Sequence, residues 1–216
     1  MLFIGNSLTY TNDLPGTVAG IALAAGDTFQ VQTVAAPNMA LIDHVSRQTD
    51  AVDAIKSWKW DYVVLQQGPT PLPLYRDTLI LATKWLQPYI HDAGARSAQL
   101  MVWPSATKRA SFDEVRRSNQ LAAKAVGGVF LPAGEAWRAA WSAGPGIALY
   151  GRDGFHPSEL GTYLTALVVY EGLTGRDVTT LPPRITVAGK RLQVATATVR
   201  LLQRAAHETV LRFKDQ

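Results

Sequence analysis

Strand-like and helix-like segments alternate through the first two thirds of the chain, and this alternation restricts the fold more than any other feature. Short apolar runs stand at 2–4, 29–34, 62–65, 99–103 and 129–131. Stretches that read as helices lie between and after them, at 14–25, 41–58, 77–93, 113–126, 133–143 and 159–173. Residues 41–58 carry Leu41, Val45, Val52 and Ile55 at helical spacing. Tyr62-Val63-Val64-Leu65 is apolar without a break, as suits a strand covered on both faces. Parallel neighbours need a long crossover between them, and a helix supplies it. The repeated unit therefore predicts an α/β chain: a three-layer α/β/α sandwich around a five-stranded parallel sheet, in flavodoxin-like order.

The chain has 216 residues, which suits one domain over 1–216. Residues 184–192 read as a small hairpin turning at Ala188-Gly189, and 193–211 as a terminal helix; together they form an appendage of that domain over 184–213. Hydrophobic residues are 47% and charged residues 18%, enough apolar surface for a full core. The net charge of +4 is scattered, without a run of like charges, so a nucleic-acid partner is not expected. No apolar stretch approaches the 18 residues of a membrane span. No leader is read either, because Met1 runs straight into Leu2-Phe3-Ile4-Gly5. Cysteine is absent, which excludes disulfide scaffolds, thiol nucleophiles and thiolate metal sites but selects no compartment.

Ligands of open α/β sheets gather beyond the carboxyl ends of the strands. After the first strand comes Gly5-Asn6-Ser7-Leu8-Thr9, which lacks both the Gly-x-Gly-x-x-Gly dinucleotide pattern and the Gly-Lys-Ser/Thr of a phosphate loop. A serine in this place either caps a turn or stands exposed as a nucleophile with its own N–H free to bind an oxyanion. A serine nucleophile needs a base, and the base needs a partner on its second nitrogen. Asp153-Gly154-Phe155-His156-Pro157-Ser158, inside the Gly- and Pro-rich loop 144–158, could supply both through His156 and Asp153. The other reading of Asp153 is a turn cap. His44 opens a helix, where it could cap or orient the preceding loop; His91 and His207 read as solvated or packing residues. No His/Asp/Glu set has metal-ligand spacing, so neither a metal nor another cofactor is expected. Trp103 ends a strand at the same edge and is a candidate for the substrate pocket.

Phe3-Ile4-Gly5-Asn6-Ser7-Leu8-Thr9, with Asn12-Asp13-Leu14-Pro15, resembles the first block of the SGNH hydrolases, the GDSL-like lipase/acylhydrolase family. Asn6 stands where many members have Asp. The Asp153–Ser158 segment resembles the family's last block, and Asp61-Tyr62-Val63-Val64-Leu65-Gln66-Gln67 the strand entering its third. Gly134-Glu135-Ala136-Trp137-Arg138 also recurs within one branch of the family. The resemblance spans 2–175 and implies a serine esterase acting on small-molecule esters, with Ser7 as nucleophile, His156 as base and Asp153 as its orienting acid. It further implies an oxyanion hole of the Ser7 N–H, a glycine N–H in the second block and an asparagine amide in the third. The chain departs at both of the last two. Asn38 occupies the glycine position, and Gln66-Gln67-Gly68 replaces Gly-x-Asn. Asn tolerates a left-handed backbone, so its N–H can survive as a donor. A glutamine amide can replace an asparagine amide. Alternation along the strand lets only one of the two glutamines face inward; Gln67 is favoured over Gln66. An acyltransferase using a sugar or alcohol as acceptor, and a non-catalytic flavodoxin-like binding module, are the competing expectations.

Overall fold

A computed structural model, which describes residues 1–214, assembles the apolar runs as one parallel sheet. Its strands are β1 (Leu2–Gly5), β2 (Gln32–Ala35), β3 (Tyr62–Gln66), β4 (Arg96–Leu100) and β5 (Val129–Leu131). Their spatial order is β2-β1-β3-β4-β5, the expected flavodoxin-like order. The helices are α1 (Ser7–Tyr10), α2 (Leu14–Ala24), α3 (Leu41–Val45), α4 (Ala51–Ser57), α5 (Pro73–Asp92), α6 (Phe112–Lys124), α7 (Ala133–Ala143), α8 (Glu159–Thr174) and α9 (Thr196–Phe213). A separate antiparallel hairpin pairs β6 (Ile185–Val187) with β7 (Lys190–Leu192).

The alternation of side chains along each strand feeds two cores. Leu2, Ile4, Val63 and Leu65 are fully buried on one face, with Leu41, Ile55, Leu79 and Leu86 from α3, α4 and α5. Phe3, Val64, Ala98 and Leu100 face the other way, into the core built with α2, α7, α8 and α9. Each buried Leu, Ile, Val or Phe among them stabilises the fold by about 1.5–3 kcal/mol when taken from water, so short central strands are held firmly from both sides. Helix α8 is buried at every residue from Gly161 to Glu171, which explains its lack of a polar face. Helices α2, α7 and α9 cover it. The hairpin contributes Ile185 and Val187 to the same core. No helix among the described residues is long and apolar enough to cross a membrane.

Several elements differ in extent from the sequence reading. Residues 41–58 are two helices, not one. The chain breaks at Arg47, whose φ of 61° is left-handed, while Leu41, Val52 and Ile55 all reach the same core and so mimic one continuous stripe. The fourth strand is 96–100 rather than 99–103, pairing with β3 through Tyr62↔Arg96 to Gln66↔Leu100. Met101, Val102 and Trp103 are buried beyond its end, which is why they read as strand. Helix α5 starts a turn early, with Pro73 in its first position, where a missing N–H is harmless. Strand β2 begins at Gln32 and α9 at Thr196.

Candidate active site

Ser7 begins α1 directly beyond β1, at the carboxyl edge of the sheet. The loop that presents it is held from below. Gln66, at the end of neighbouring β3, accepts the Asn6 N–H at 2.9 Å and the Thr9 hydroxyl at 2.8 Å on its Oε1. A side chain on Gly5 would collide with both Thr9 and Gln66, so this approach requires glycine. Asn6 caps α1 by accepting the Leu8 N–H at 3.1 Å, and its Nδ2 donates to the Met39 carbonyl at 3.0 Å. An aspartate could not make that second bond, which gives Asn6 a physical reason to replace it.

His44 lies beneath the same loop, fully buried. Its Nε2 is 2.9 Å from the Gly5 carbonyl and its Nδ1 is 2.8 Å from the Thr49 hydroxyl. A carbonyl only accepts, so Nε2 carries the proton and Nδ1 accepts from Thr49. Burial, opposed by the Gly5 hydrogen bond and the charges of Asp43 and Asp50, holds its pKa below the ordinary value. The unfolded chain therefore binds this proton first as pH falls below about 6.5, and stability is lost from there down to the lower folded pKa. Urea denaturation should show less stability at pH 5.5 than at pH 7, with a slope of up to about 1.4 kcal/mol per pH unit from this group. His44→Gln should flatten that dependence; an equally steep loss in the variant would contradict the assignment.

The second half of the site is a tight turn between Tyr150 and Pro157, which form an isolated bridge. The Gly151 N–H donates to the His156 carbonyl at 2.7 Å, and Gly154 takes a left-handed φ of 67°. Asp153 Oδ1 accepts the N–H groups of Phe155 and His156, each at 3.0 Å. Its Oδ2 lies 2.5 Å from His156 Nδ1, and His156 Nε2 lies 2.9 Å from Ser7 Oγ. The His156 hydrogen bond, followed by the Phe155 N–H, holds the Asp153 carboxyl below its usual range. Three tethers fix this turn to the rest of the sheet edge. Trp103 Nε1 donates to the Phe155 carbonyl at 3.0 Å, and the Ala106 N–H to the Gly154 carbonyl at 2.8 Å. Asn12 Nδ2 donates to the Pro157 carbonyl at 2.9 Å, joining the Ser7 and His156 segments across 145 positions.

A hydroxyl, an imidazole and a carboxylate in this line can move a proton from serine to histidine and leave an oxygen nucleophile. A cleft of about 280 Å³ opens above Ser7, walled by Asn38, Met39, Ala40, Gln67 and Phe155 among others. Asn38 has the left-handed φ of 59°. The N–H groups of Ser7 and Asn38 have no acceptor among the described residues. Gln67 accepts the Leu41 N–H on Oε1 at 2.9 Å and gives one amide hydrogen to Thr70 Oγ1 at 3.2 Å, leaving its second N–H uncommitted. Gln66 is outside this wall, and its buried Nε2 has no partner among the described residues. Trp103 is also outside it. It is 1% exposed and stacks on Trp137 with ring centroids 3.5 Å apart, so it anchors the histidine turn rather than lining the cleft.

Two features elsewhere bear on the choice of site. A hollow of about 440 Å³ lies at the opposite edge of the sheet, by Met1, Phe29, Trp60 and Tyr62, and holds none of these groups. His207 Nδ1 is 2.7 Å from Glu171 Oε1 and 3.3 Å from Asp177 Oδ1, tying α9 to the end of α8. Among the described residues this trio is the one set of His and carboxylate groups close enough to share a metal ion. Its members come from separate elements, so their sequence spacing conceals it.

No family model matches the chain, and no curated protein sequence does. Solved structures do. A protein of the DUF4886 family from Bacteroides uniformis is 22% identical, with a TM-score of 0.82, over 99% of this chain and 95% of its own. A candidate SGNH hydrolase from Slackia heliotrinireducens is 25% identical, with a TM-score of 0.66, over 80% of this chain and 97% of its own. An acetyl xylan esterase from Geobacillus stearothermophilus is 17% identical, with a TM-score of 0.63, over 80% and 93%.

Proposed function

Proceeding from a chain that carries the fold of the SGNH, or GDSL-like, hydrolase superfamily, we propose that it is a serine esterase for short-chain acyl esters, acetyl esters of carbohydrates included. The observation that carries this reading is the 2.9 Å approach of His156 Nε2 to Ser7 Oγ, with Asp153 on the opposite ring nitrogen. In the first half-reaction Ser7 Oγ attacks the ester carbonyl and His156 takes its proton. The negative charge on the carbonyl oxygen meets the N–H groups of Ser7 and Asn38 and the second amide hydrogen of Gln67. His156 then protonates the departing alcohol, leaving the acyl group on Ser7. Water, deprotonated by the same imidazole, releases the acid. Asp153 keeps the proton on Nδ1, so that Nε2 is free to accept. The acetyl xylan esterase likeness supports the acetyl end of this substrate range.

The direct test is a panel of esters with acyl chains of two to twelve carbons, together with acetylated sugars. Turnover should be greatest at the short end; no hydrolysis of any member would refute the reading. Gln67→Ala should lower kcat by about 10²–10³ with KM little changed, the usual cost of one oxyanion donor. Gln66→Ala should instead lower the melting temperature, because it frees the Asn6 N–H and Thr9 hydroxyl beneath the loop. Full kcat in the Gln67 variant would remove it from the hole. Asn38→Gly should retain most activity, since glycine keeps the left-handed backbone and its N–H.

A further inference from the structure

The cleft above Ser7 does not end at Phe155. A second hollow of about 270 Å³ adjoins it, and the two share Pro69, Tyr75 and Phe155 as a common wall. Beyond that wall the second hollow is faced by Pro71, Leu72 and Pro104, with Ser105, Lys108 and Ser111 as its polar rim. Tyr75, on the shared wall, and Leu72, inside the second hollow, are 54% and 55% exposed, large apolar groups left in water. Contiguous apolar surface of this kind beside polar groups marks a binding site.

Reaction geometry decides which half of an ester would enter it, and this step rests on the esterase reading. At the tetrahedral carbon the oxyanion points to the N–H groups of Ser7 and Asn38. The leaving oxygen must come within reach of His156 Nε2 to receive its proton. The Phe155 ring stands edge-on to the His156 ring, centroids 5.2 Å apart, so a group attached to that oxygen passes Phe155 on leaving the carbon. It then meets the second hollow. Asn38, Met39 and Ala40 line the first cleft, on the side left for the acyl group.

We propose that the Tyr75–Phe155 hollow is the alcohol subsite, and that it selects esters whose alcohol half carries a ring with a flat apolar face. Tyr75, Phe155 and the three prolines offer planar surfaces to such a face, and the rim offers hydrogen bonds to ring substituents. An aryl ring and a pyranose share this chemistry.

The test compares kcat/KM ratios. One series keeps acetate and varies the alcohol: ethyl, benzyl, cyclohexylmethyl, and a monoacetylated methyl pyranoside. The other keeps ethanol and varies the acyl group from acetyl to hexanoyl. The wild type should prefer ring alcohols to ethanol, with the benzyl and pyranoside arms showing which ring it favours. Tyr75→Ala should reduce that preference about tenfold and shift the acetyl-to-hexanoyl ratio by less than about twofold. Loss of acyl-length discrimination with the ring preference intact would make the hollow an acyl pocket and overturn the proposal. So would no change in either ratio. Binding separates this from the esterase reading: saturation-transfer NMR with benzyl alcohol should show ring contact in the Ser7→Ala protein, and Tyr75→Ala should abolish it in that background. Contact without turnover would refute the esterase and keep the subsite; turnover without contact would do the reverse.

Discussion

Ser7→Ala should lower kcat for ester hydrolysis by about 10⁶, the usual loss when a serine nucleophile is removed. The fold should be unchanged. The Ser7 side chain's hydrogen bond is to His156, whereas the loop is held by the Asn6 N–H and side chain, Thr9 and the Gly5 carbonyl. Alanine also keeps the N–H proposed for the oxyanion. Residual turnover over water should remain from the hole and from substrate binding. A melting curve superimposable on the wild type, with hydrolysis lost, is the expected pair of results. Near-wild-type turnover in pure variant protein would remove Ser7 from the mechanism.

Asp153→Asn should cost about 10⁴ in kcat, and the cause is a tautomer rather than a lost contact. The asparagine oxygen can still accept the N–H groups of Phe155 and His156, so the turn keeps its backbone bonds. Its amide nitrogen then faces His156 Nδ1 and donates to it. That places the imidazole proton on Nε2, which can no longer accept from Ser7. In the wild type the depressed pKa of Asp153 keeps it ionised to pH values below the usual carboxylate range. Its contribution to stability is thus present above the unfolded value of about 3.9 and is lost as pH falls through the lower folded one. The pH-rate profile above pH 5 should not contain the titration of this carboxyl. A drop of less than about tenfold in Asp153→Asn would show that the carboxylate does not set the tautomer.

The sheet was legible because its information is local. Tyr62–Leu65 and Val129–Leu131 announce strands by composition, and Ala133–Ala143 reads as a helix with the bounds it has in the fold. Local pattern misleads where tertiary packing overrides it. Residues 41–58 look continuous because both helices bury apolar side chains in one core, although Arg47 breaks the backbone between them. Gln99 looks like a strand start but sits inside β4, where its buried amide donates to Asn119 of α6. In the site, Ser7, Asp153 and His156 were visible as residue types after strands or in one short loop. Their supports were not. Asn6 to Met39, Asn12 to Pro157, Gln66 to Thr9 and Trp103 to the Phe155 carbonyl each join distant segments, and no spacing encodes them. The division of labour between the glutamines was likewise hidden. Alternation shows that one points inward, but the fixing contacts with Leu41 and Thr70 appear only once α3 is folded against the sheet edge.

The central claim is a covalent acyl-enzyme on Ser7, and covalent trapping tests it most directly. The protein should be treated with a serine-directed fluorophosphonate, digested, and the adduct mapped by tandem mass spectrometry. A single modification on Ser7, formed in step with loss of hydrolysis and absent when His156 is replaced by alanine, is the result this mechanism requires. An adduct on any other residue, or full inhibition with Ser7 unmodified, would contradict it.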